Sequence, residues 1–142
     1  VHIPGVNAQK VASFPFVLAT TKYDMPDECY FEDVASEDFV LFNEGFIHSR
    51  VFKELTYNTE VFPHILYQTS NVEALKSVVR EGLGMTLITT LAVRETDHDM
   101  HYINLLNKNL PTFNIYLLTR KNVPLNDSQQ AILQIIDDFI NK

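Results

Sequence analysis

The sequence predicts an α/β fold in which helices pack on a sheet that contains parallel strands. Residues 64–90 have the pattern of a strand, a helix and a second strand, and a helical connection of this length returns the second strand parallel to the first. Apolar runs of strand length recur at 14–20, 39–42 and 113–119, with helical periodicity or turn residues between them. These observations indicate a single α/β domain.

The segment from His64 to Thr90 carries the clearest local signals. Ser70 and Glu73 form an S-x-x-E capping pattern, which predicts a helix that starts at Asn71 with the Ser70 hydroxyl as its cap. The apolar positions of this helix recur at spacings of three and four: Val72, Leu75, Val78 and Val79. Its polar face is expected to hold Glu73, Lys76, Ser77 and Arg80. Gly82 is predicted to end the helix in a left-handed conformation, before a strand over 85–88.

The remaining elements follow from the same two periodicities. Strands are expected at the apolar runs 14–20, 39–42, 102–105 and 113–119. Helical segments are expected within 28–38, over 46–57, over 91–94 and over 125–141. Asn126 and Gln129 repeat the capping pattern at the start of the last helix, whose wide apolar stripe predicts a sizeable packing partner.

Length, charge and cysteine content restrict the function further. A chain of 142 residues is long enough to bury a core without a metal or a disulfide. The net charge of −7 and the scattered basic residues argue against a nucleic-acid-binding surface. The single cysteine, Cys29, cannot form an internal disulfide, which is typical of cytoplasmic proteins, and no apolar run predicts a membrane span. The start at Val1, without an initiator methionine, predicts a fragment of a longer polypeptide.

The sequence offers few candidates for catalysis. His98, Asp99 and His101 could bind a divalent metal, but their spacing matches no closed metal motif, and a solvated polar loop is the favoured interpretation. Cys29 has no basic neighbour or resolving cysteine, which favours a buried, inert thiol over a nucleophile. Phosphate-loop, dinucleotide and nucleophile-elbow motifs are absent from the sequence. We therefore expect no catalytic residue, no metal and no cofactor.

A ligand-binding edge is predicted at the amino end of the helix that follows Ser70. In parallel sheets the carboxyl ends of strands and the amino ends of helices meet at one edge, where ligands bind. Backbone N–H groups and the helix dipole favour an anion or a polar ligand group there. The alternative is an ordinary capped helix that binds nothing.

The order of these segments resembles a known family. FVLAT, FVLFNEG, PHILYQTSNVEALKSVVREGLGMTLIT, FNIYLLTRK and a last helix after PLNDSQQ are similar to the effector-binding domain of LysR-type transcriptional regulators. The resemblance covers nearly the whole chain, and the run from Ser70 to Met85 is its most specific part. It implies the type 2 periplasmic-binding-protein fold, in which two α/β subdomains joined by two crossing strands bind a small effector between them.

The resemblance also implies a domain organisation for residues 1–142. The strands at 14–20 and 113–119 resemble the two hinge strands, and residues 22–108 resemble the second subdomain. The helix at 125–141 is expected to return to the first subdomain, whose first half the chain lacks, and Val1–Ile3 resembles the end of a strand of that half. The family's N-terminal DNA-binding domain is also absent. Because the missing half of the first subdomain would carry half of the effector cleft, we expect the fragment alone to bind effector weakly or not at all.

Several residues correspond to effector contacts of the family. The contact at the start of the cleft helix falls on Ser70, with Thr69 and Asn71 beside it. Met85 and Thr86 resemble the opposite wall, and Phe42 and Asn43 are a further correspondence at the end of the preceding strand. Each of these residues has a structural alternative, either as a helix cap or as part of the core.

The function that the resemblance implies is regulation of bacterial transcription. A small-molecule effector, for which an organic anion is one expectation, would shift the conformation of a dimer or tetramer that binds DNA through its N-terminal domains. The alternative is a solute-binding protein or an enzyme of the same fold, because a fold does not determine a function.

Overall fold

The chain divides into two units in the computed structural model, which describes residues 2–93 and 99–140. The larger unit spans Phe14–Phe113, and the smaller unit combines Val1–Ser13 with Asn114–Lys142. The boundaries fall at the starts of the strands predicted at 14–20 and 113–119. The hinge role of these strands stays a prediction.

The described elements comprise eight strands and three α-helices. In chain order they are β1 (Val6–Phe14), β2 (Phe16–Thr20), β3 (Glu28–Cys29), β4 (Asp38–Phe42), α1 (Ile47–Tyr57), β5 (His64–Thr69), α2 (Val72–Arg80), β6 (Thr86–Thr89), β7 (His101–Leu105), β8 (Phe113–Arg120) and α3 (Asp127–Ile140). Short 3-10 helices cover Phe31–Asp33 and Thr90–Ala92.

The strands of the larger unit confirm the predicted strand, helix, strand unit. One sheet has the order β3-β7-β2-β6, and β4 pairs with β5 in parallel. A parallel bridge between Phe39 and Met85 connects these two groups of strands. There the Val40 N–H donates to the Met85 carbonyl at 2.8 Å, and the Met85 N–H donates to the Asp38 carbonyl at 2.9 Å. Strand β6 therefore returns parallel to β5, with β4 between them.

Strand β2 is buried on both faces, because a helix covers each side of the sheet. Phe16 and Leu18 belong to one apolar cluster and Val17 and Ala19 to the other, as the two-residue period of a strand requires. The first cluster includes Val51, Phe52 and Leu55 of α1. The second includes Leu75 and Val79 of α2. A fully buried side chain of this size stabilises the fold by about 1.5–3 kcal/mol.

The carboxyl end of α2 has the predicted glycine. Gly82 has a φ of 76°, and its N–H donates to the Val79 carbonyl at 2.9 Å. The Leu83 N–H donates to the Val78 carbonyl at 3.3 Å, which completes a Schellman motif. A Cβ atom on Gly84 would lie 3.1 Å from the Asp38 carbonyl oxygen. The second glycine therefore allows the close approach of this turn to β4.

The smaller unit contains one element that the sequence analysis missed. The prediction of a strand end at Val1–Ile3 is wrong for its described part, since Ile3 precedes a turn and β1 begins at Val6. Strand β1 pairs with β8. In α3 the predicted cap is confirmed, because the Gln129 N–H donates to Asn126 Oδ1 at 2.8 Å and the Asn126 N–H donates to Gln129 Oε1 at 3.0 Å.

Candidate functional site

A cavity of about 600 Å³ lies in the larger unit at the predicted edge of the sheet. The end of β4, the start of α1, the amino end of α2 and the Thr90–Ala92 helix surround it. This volume is within the range of small-molecule sites in proteins. One side of the cavity is aromatic and another is polar.

The aromatic side, which we call the aromatic wall, consists of Phe42, Phe46, His48 and Phe113. The rings of Phe42 and Phe46 stack with centroids 5.0 Å apart and an interplanar angle of 17°. The His48 ring lies 4.6 Å from Phe42 and 6.0 Å from Phe113. The buried Ser49 hydroxyl donates to the Phe42 carbonyl at 2.6 Å, which fixes the end of β4 against the first turn of α1.

His48 contributes an uncharged ring to the aromatic wall. Burial lowers the pKa of its imidazole from 6.5 to about 4, because the protonated form would lose its hydration. The ring is therefore neutral at pH 7. Its buried Nδ1 atom has no hydrogen-bond partner among the described residues. His48 thus supplies a polarisable ring and no positive charge to this side of the cavity.

The polar side is the amino end of α2, where the capping prediction needs a correction. Asn71, and not Ser70, is the N-cap: its Oδ1 accepts from the Ala74 N–H at 2.9 Å, and α2 begins at Val72. Asn71 has the extended backbone that a cap requires, and an asparagine amide caps as well as a serine hydroxyl. The Ser70 side chain makes no hydrogen bond within the described residues. Ser70 is exposed and lines the cavity instead.

A third side of the cavity consists of Thr89, Leu91 and Ala92, and a buried lysine contacts it. Lys76 lies on α2 with 1% of its surface exposed, and its Nζ donates to the Ala92 carbonyl at 3.0 Å. The prediction that Lys76 lies on the polar outer face of α2 is therefore wrong. The hydrogen bond between two segments 16 residues apart holds the Thr90–Ala92 helix against α2.

The structure brings some of the predicted effector contacts together and separates others. Ser70, Asn71 and Phe42 line the cavity. Thr69 and Asn43 lie next to these lining residues, and the Asn43 N–H donates to the Thr69 carbonyl at 3.0 Å. Met85 and Thr86 are fully buried outside the lining, because they lie on the strand between β4 and β2. Effector contact by any of these seven residues stays a prediction.

Sequence reasoning missed eight lining residues: Phe46, His48, Val72, Glu73, Thr89, Leu91, Ala92 and Phe113. They come from separate segments of the chain, so no local spacing identifies them as a group. The one usable signal was the cluster of rings directly after β4, since residues after parallel strands point to the ligand edge.

The described residues contain no group of three or more His, Cys, Asp or Glu side chains that could hold a metal. His98 of the predicted alternative lies outside the described residues. Its neighbours are engaged elsewhere: Asp99 pairs with Arg80 at 3.2 Å, and His101 Nε2 lies 3.1 Å from the Met25 carbonyl. No described helix is long and apolar enough to cross a membrane.

Cys29 should behave as an inert thiol. Burial raises the pKa of this thiol, and the nearby carboxylates of Asp33 and Glu32 raise it further, so the reactive thiolate is scarce at neutral pH. We expect Cys29 to react with a disulfide reagent such as DTNB far more slowly in the folded protein than in urea. Labelling at the rate of an unfolded thiol would contradict this prediction.

The chain belongs to the LysR substrate binding domain family, whose model matches residues 1–140. It is 23% identical over 123 residues to the malolactic fermentation system transcriptional activator of Lactococcus lactis, covering 85% of this chain and 42% of that relative. It is 26% identical over 102 residues to the HTH-type transcriptional regulator YcgK of Bacillus subtilis, covering 72% of this chain and 31% of that relative. The chain thus spans less than half the length of these relatives. The family is one of regulatory domains and not of enzymes.

Solved structures confirm the fold class. A putative LysR family regulator from Pseudomonas aeruginosa superposes with a TM-score of 0.75 at 13% identity, covering 99% of this chain and 51% of that one. The regulatory domain of Synechocystis CcmR, solved with 2-PG, gives a TM-score of 0.71 at 16% identity, covering 96% of this chain and 68% of that one. The effector binding domain of BenM, solved with benzoate, gives a TM-score of 0.68 at 15% identity, covering 98% of this chain and 65% of that one. All three show the periplasmic-binding-protein-like fold that the resemblance implied.

Proposed function

We propose that the full-length polypeptide is a bacterial LysR-type transcription regulator in the cytoplasm, with the cavity at the amino end of α2 as its effector site. The observation that carries this proposal is the Ser70 hydroxyl, which lines the cavity and takes no part in capping the helix. A small metabolite bound there favours one conformation of the regulatory domain. That shift changes how an N-terminal domain outside this chain engages DNA.

A ligand with a carboxylate or a similar anionic group suits the polar side of the cavity. The N–H groups of the first turn of a helix have no intrahelical acceptor, and the helix dipole places partial positive charge there. Glu73 is the acidic residue that lines this side. The attraction of an anionic ligand to the helix end and to the Ser70 hydroxyl must therefore exceed its repulsion by the Glu73 carboxylate. Small acids bound to solved relatives, benzoate among them, support an organic anion as the effector.

Replacing Ser70 with alanine tests the proposal. We expect the variant of the full-length protein to bind the effector about ten- to a hundredfold more weakly, because a lost hydrogen bond to a charged group costs about 1.5–3 kcal/mol. Binding to promoter DNA should remain unchanged. The effector would first be found by thermal-shift screening of metabolites, since a ligand of the folded state raises the melting midpoint.

Ser36 provides the matched control for this substitution. It is an exposed serine of the same unit and does not line the cavity, so Ser36→Ala should leave both effector affinity and DNA binding intact. Unchanged effector affinity in Ser70→Ala, with a hit that binds the wild type, would exclude Ser70 from the site.

We also propose that the full-length protein forms a homo-oligomer, a dimer or a tetramer, through β5. This strand pairs with β4, is at the edge of the described sheet and exposes Ile65, Leu66 and Tyr67 to 46%, 56% and 45%. An exposed apolar edge strand is a template for pairing with a second chain.

A charge on this strand should weaken the oligomer. Leu66→Lys places an ammonium group in the proposed interface, where burial of an unpaired charge is costly. Sedimentation of the full-length protein should then show dissociation to a smaller species at concentrations where the wild type is associated. An unchanged sedimentation profile would exclude Leu66 from the interface.

A further inference from the structure

The aromatic wall is more specialised than an ordinary apolar lining. Phe46 is a large ring with 36% of its surface exposed beside the cavity, and Phe42 stacks on one of its faces. The centroid of the His48 ring lies 4.6 Å from that of Phe42 and 6.4 Å from that of Phe46. The centroid of the Phe113 ring lies 6.0 Å from that of His48. The wall is thus made of ring faces and edges, with Phe16 behind His48 at 5.3 Å in an edge-to-face arrangement.

Ring faces and edges favour a particular kind of partner. Aromatic rings attract one another in offset-stacked and edge-to-face arrangements beyond the gain from apolar burial alone. A saturated ring of the same size buries similar area but lacks the quadrupole that these arrangements require. The polar end of α2 faces the same cavity, so a ligand with a ring at one end and a polar group at the other matches both sides.

We infer that the cavity selects a metabolite with an aromatic ring, which packs against Phe42, Phe46 and His48 while its polar group binds at Ser70 and the amino end of α2. The inference rests on the proposed function, because it specifies the ligand class of the same site. It assigns Phe46 and His48 as specificity-determining residues.

The test compares two acids that differ only in ring character. Benzoate and cyclohexanecarboxylate carry the same carboxylate on six-membered rings, and calorimetry with the full-length protein gives an affinity for each. We expect benzoate to bind roughly tenfold more tightly, since each aromatic contact adds a factor of a few. Equal affinities, tighter binding of the saturated acid or no binding of benzoate at millimolar concentration would each overturn the inference.

Variants of Phe46 connect this preference to the aromatic wall. Phe46→Leu keeps an apolar side chain and removes the ring, so it should bring the affinities for benzoate and cyclohexanecarboxylate close together. Phe62→Ala, which removes an exposed ring outside the cavity, should retain the preference. A preference that persists in Phe46→Leu would overturn the assignment of Phe46.

The outcomes also separate this inference from the proposed function. If both acids bind equally and both lose affinity in Ser70→Ala, the effector site stands and the aromatic class is wrong. If benzoate is preferred but neither acid responds to Ser70→Ala, the aromatic wall stands and the role of Ser70 is wrong.

Discussion

Replacing Phe39 with alanine should lower the free energy of unfolding by about 3–5 kcal/mol, the largest effect that we expect from a single substitution. Phe39 is fully buried on β4, and its ring lies 4.9 Å from Phe52 and 5.9 Å from Phe31. The substitution removes both of these ring contacts at the point where β4 joins β6, next to the bridge with Met85. A loss of this size is a large part of the 5–15 kcal/mol that typically stabilises a domain.

Urea unfolding of the full-length protein, followed by circular dichroism, measures this effect. Phe39→Leu refills most of the space and should cost less than Phe39→Ala. Phe62→Ala is the matched control, because its ring is 93% exposed and its removal should change stability by about 0.5 kcal/mol or less. Similar midpoints for Phe39→Ala and Phe62→Ala would refute the assignment of Phe39 to the core.

Much of the larger unit follows from the sequence because its signals are local. The four-residue spacing of Leu75 and Val79, the Gly82 stop and the apolar run of β6 act within about 20 residues. The structure confirms each of them. Strands such as β2 are apolar on both faces, which is typical of a sheet covered by helices on both sides.

The features that escaped prediction, the strand β1 and the exposure of β5, depend on distant partners. Strand β1 is largely exposed and polar, and its pairing with β8 joins residues about a hundred positions apart, so no local pattern reveals it. Strand β5 has the apolar composition of a buried strand but is at the sheet edge, because a strand's neighbours and not its composition decide its exposure.

The candidate site shows the same division. The cavity lies at the sheet edge where the sequence predicted a ligand, because a strand followed by a capped helix is local in the chain, and ligand binding there stays a prediction. It assigned the cap to Ser70 because two adjacent residues can both cap, and only the helix start at Val72 decides between Ser70 and Asn71. The aromatic wall combines side chains from β4, α1 and the segment before β8, which only the folded chain brings together.

Replacing Lys76 should have the second large effect on the free energy of unfolding. The helical pattern of α2 did not predict that this residue is buried. A buried ammonium is costly unless it is hydrogen-bonded, and Lys76 donates to the Ala92 carbonyl at 3.0 Å. Lys76→Ala removes the side-chain packing and this donor together, so it should lower the free energy of unfolding by about 2–5 kcal/mol. Lys76→Met keeps most of the stem and should show the smaller loss of about 1–3 kcal/mol that belongs to the hydrogen bond.

The same variants should affect ligand binding, because the Ala92 carbonyl belongs to a segment that lines the cavity. Without the Lys76 donor the Thr90–Ala92 helix is held less firmly against α2, and we expect benzoate affinity in Lys76→Met to fall while the protein stays folded at the assay temperature. Lys53→Met is the matched control, since Lys53 is exposed and pairs with Glu44 at 2.9 Å, an exposed ion pair that contributes little. If Lys76→Met and Lys53→Met have the same urea midpoint and the same benzoate affinity, the hydrogen bond to Ala92 neither stabilises the unit nor positions the wall of the cavity.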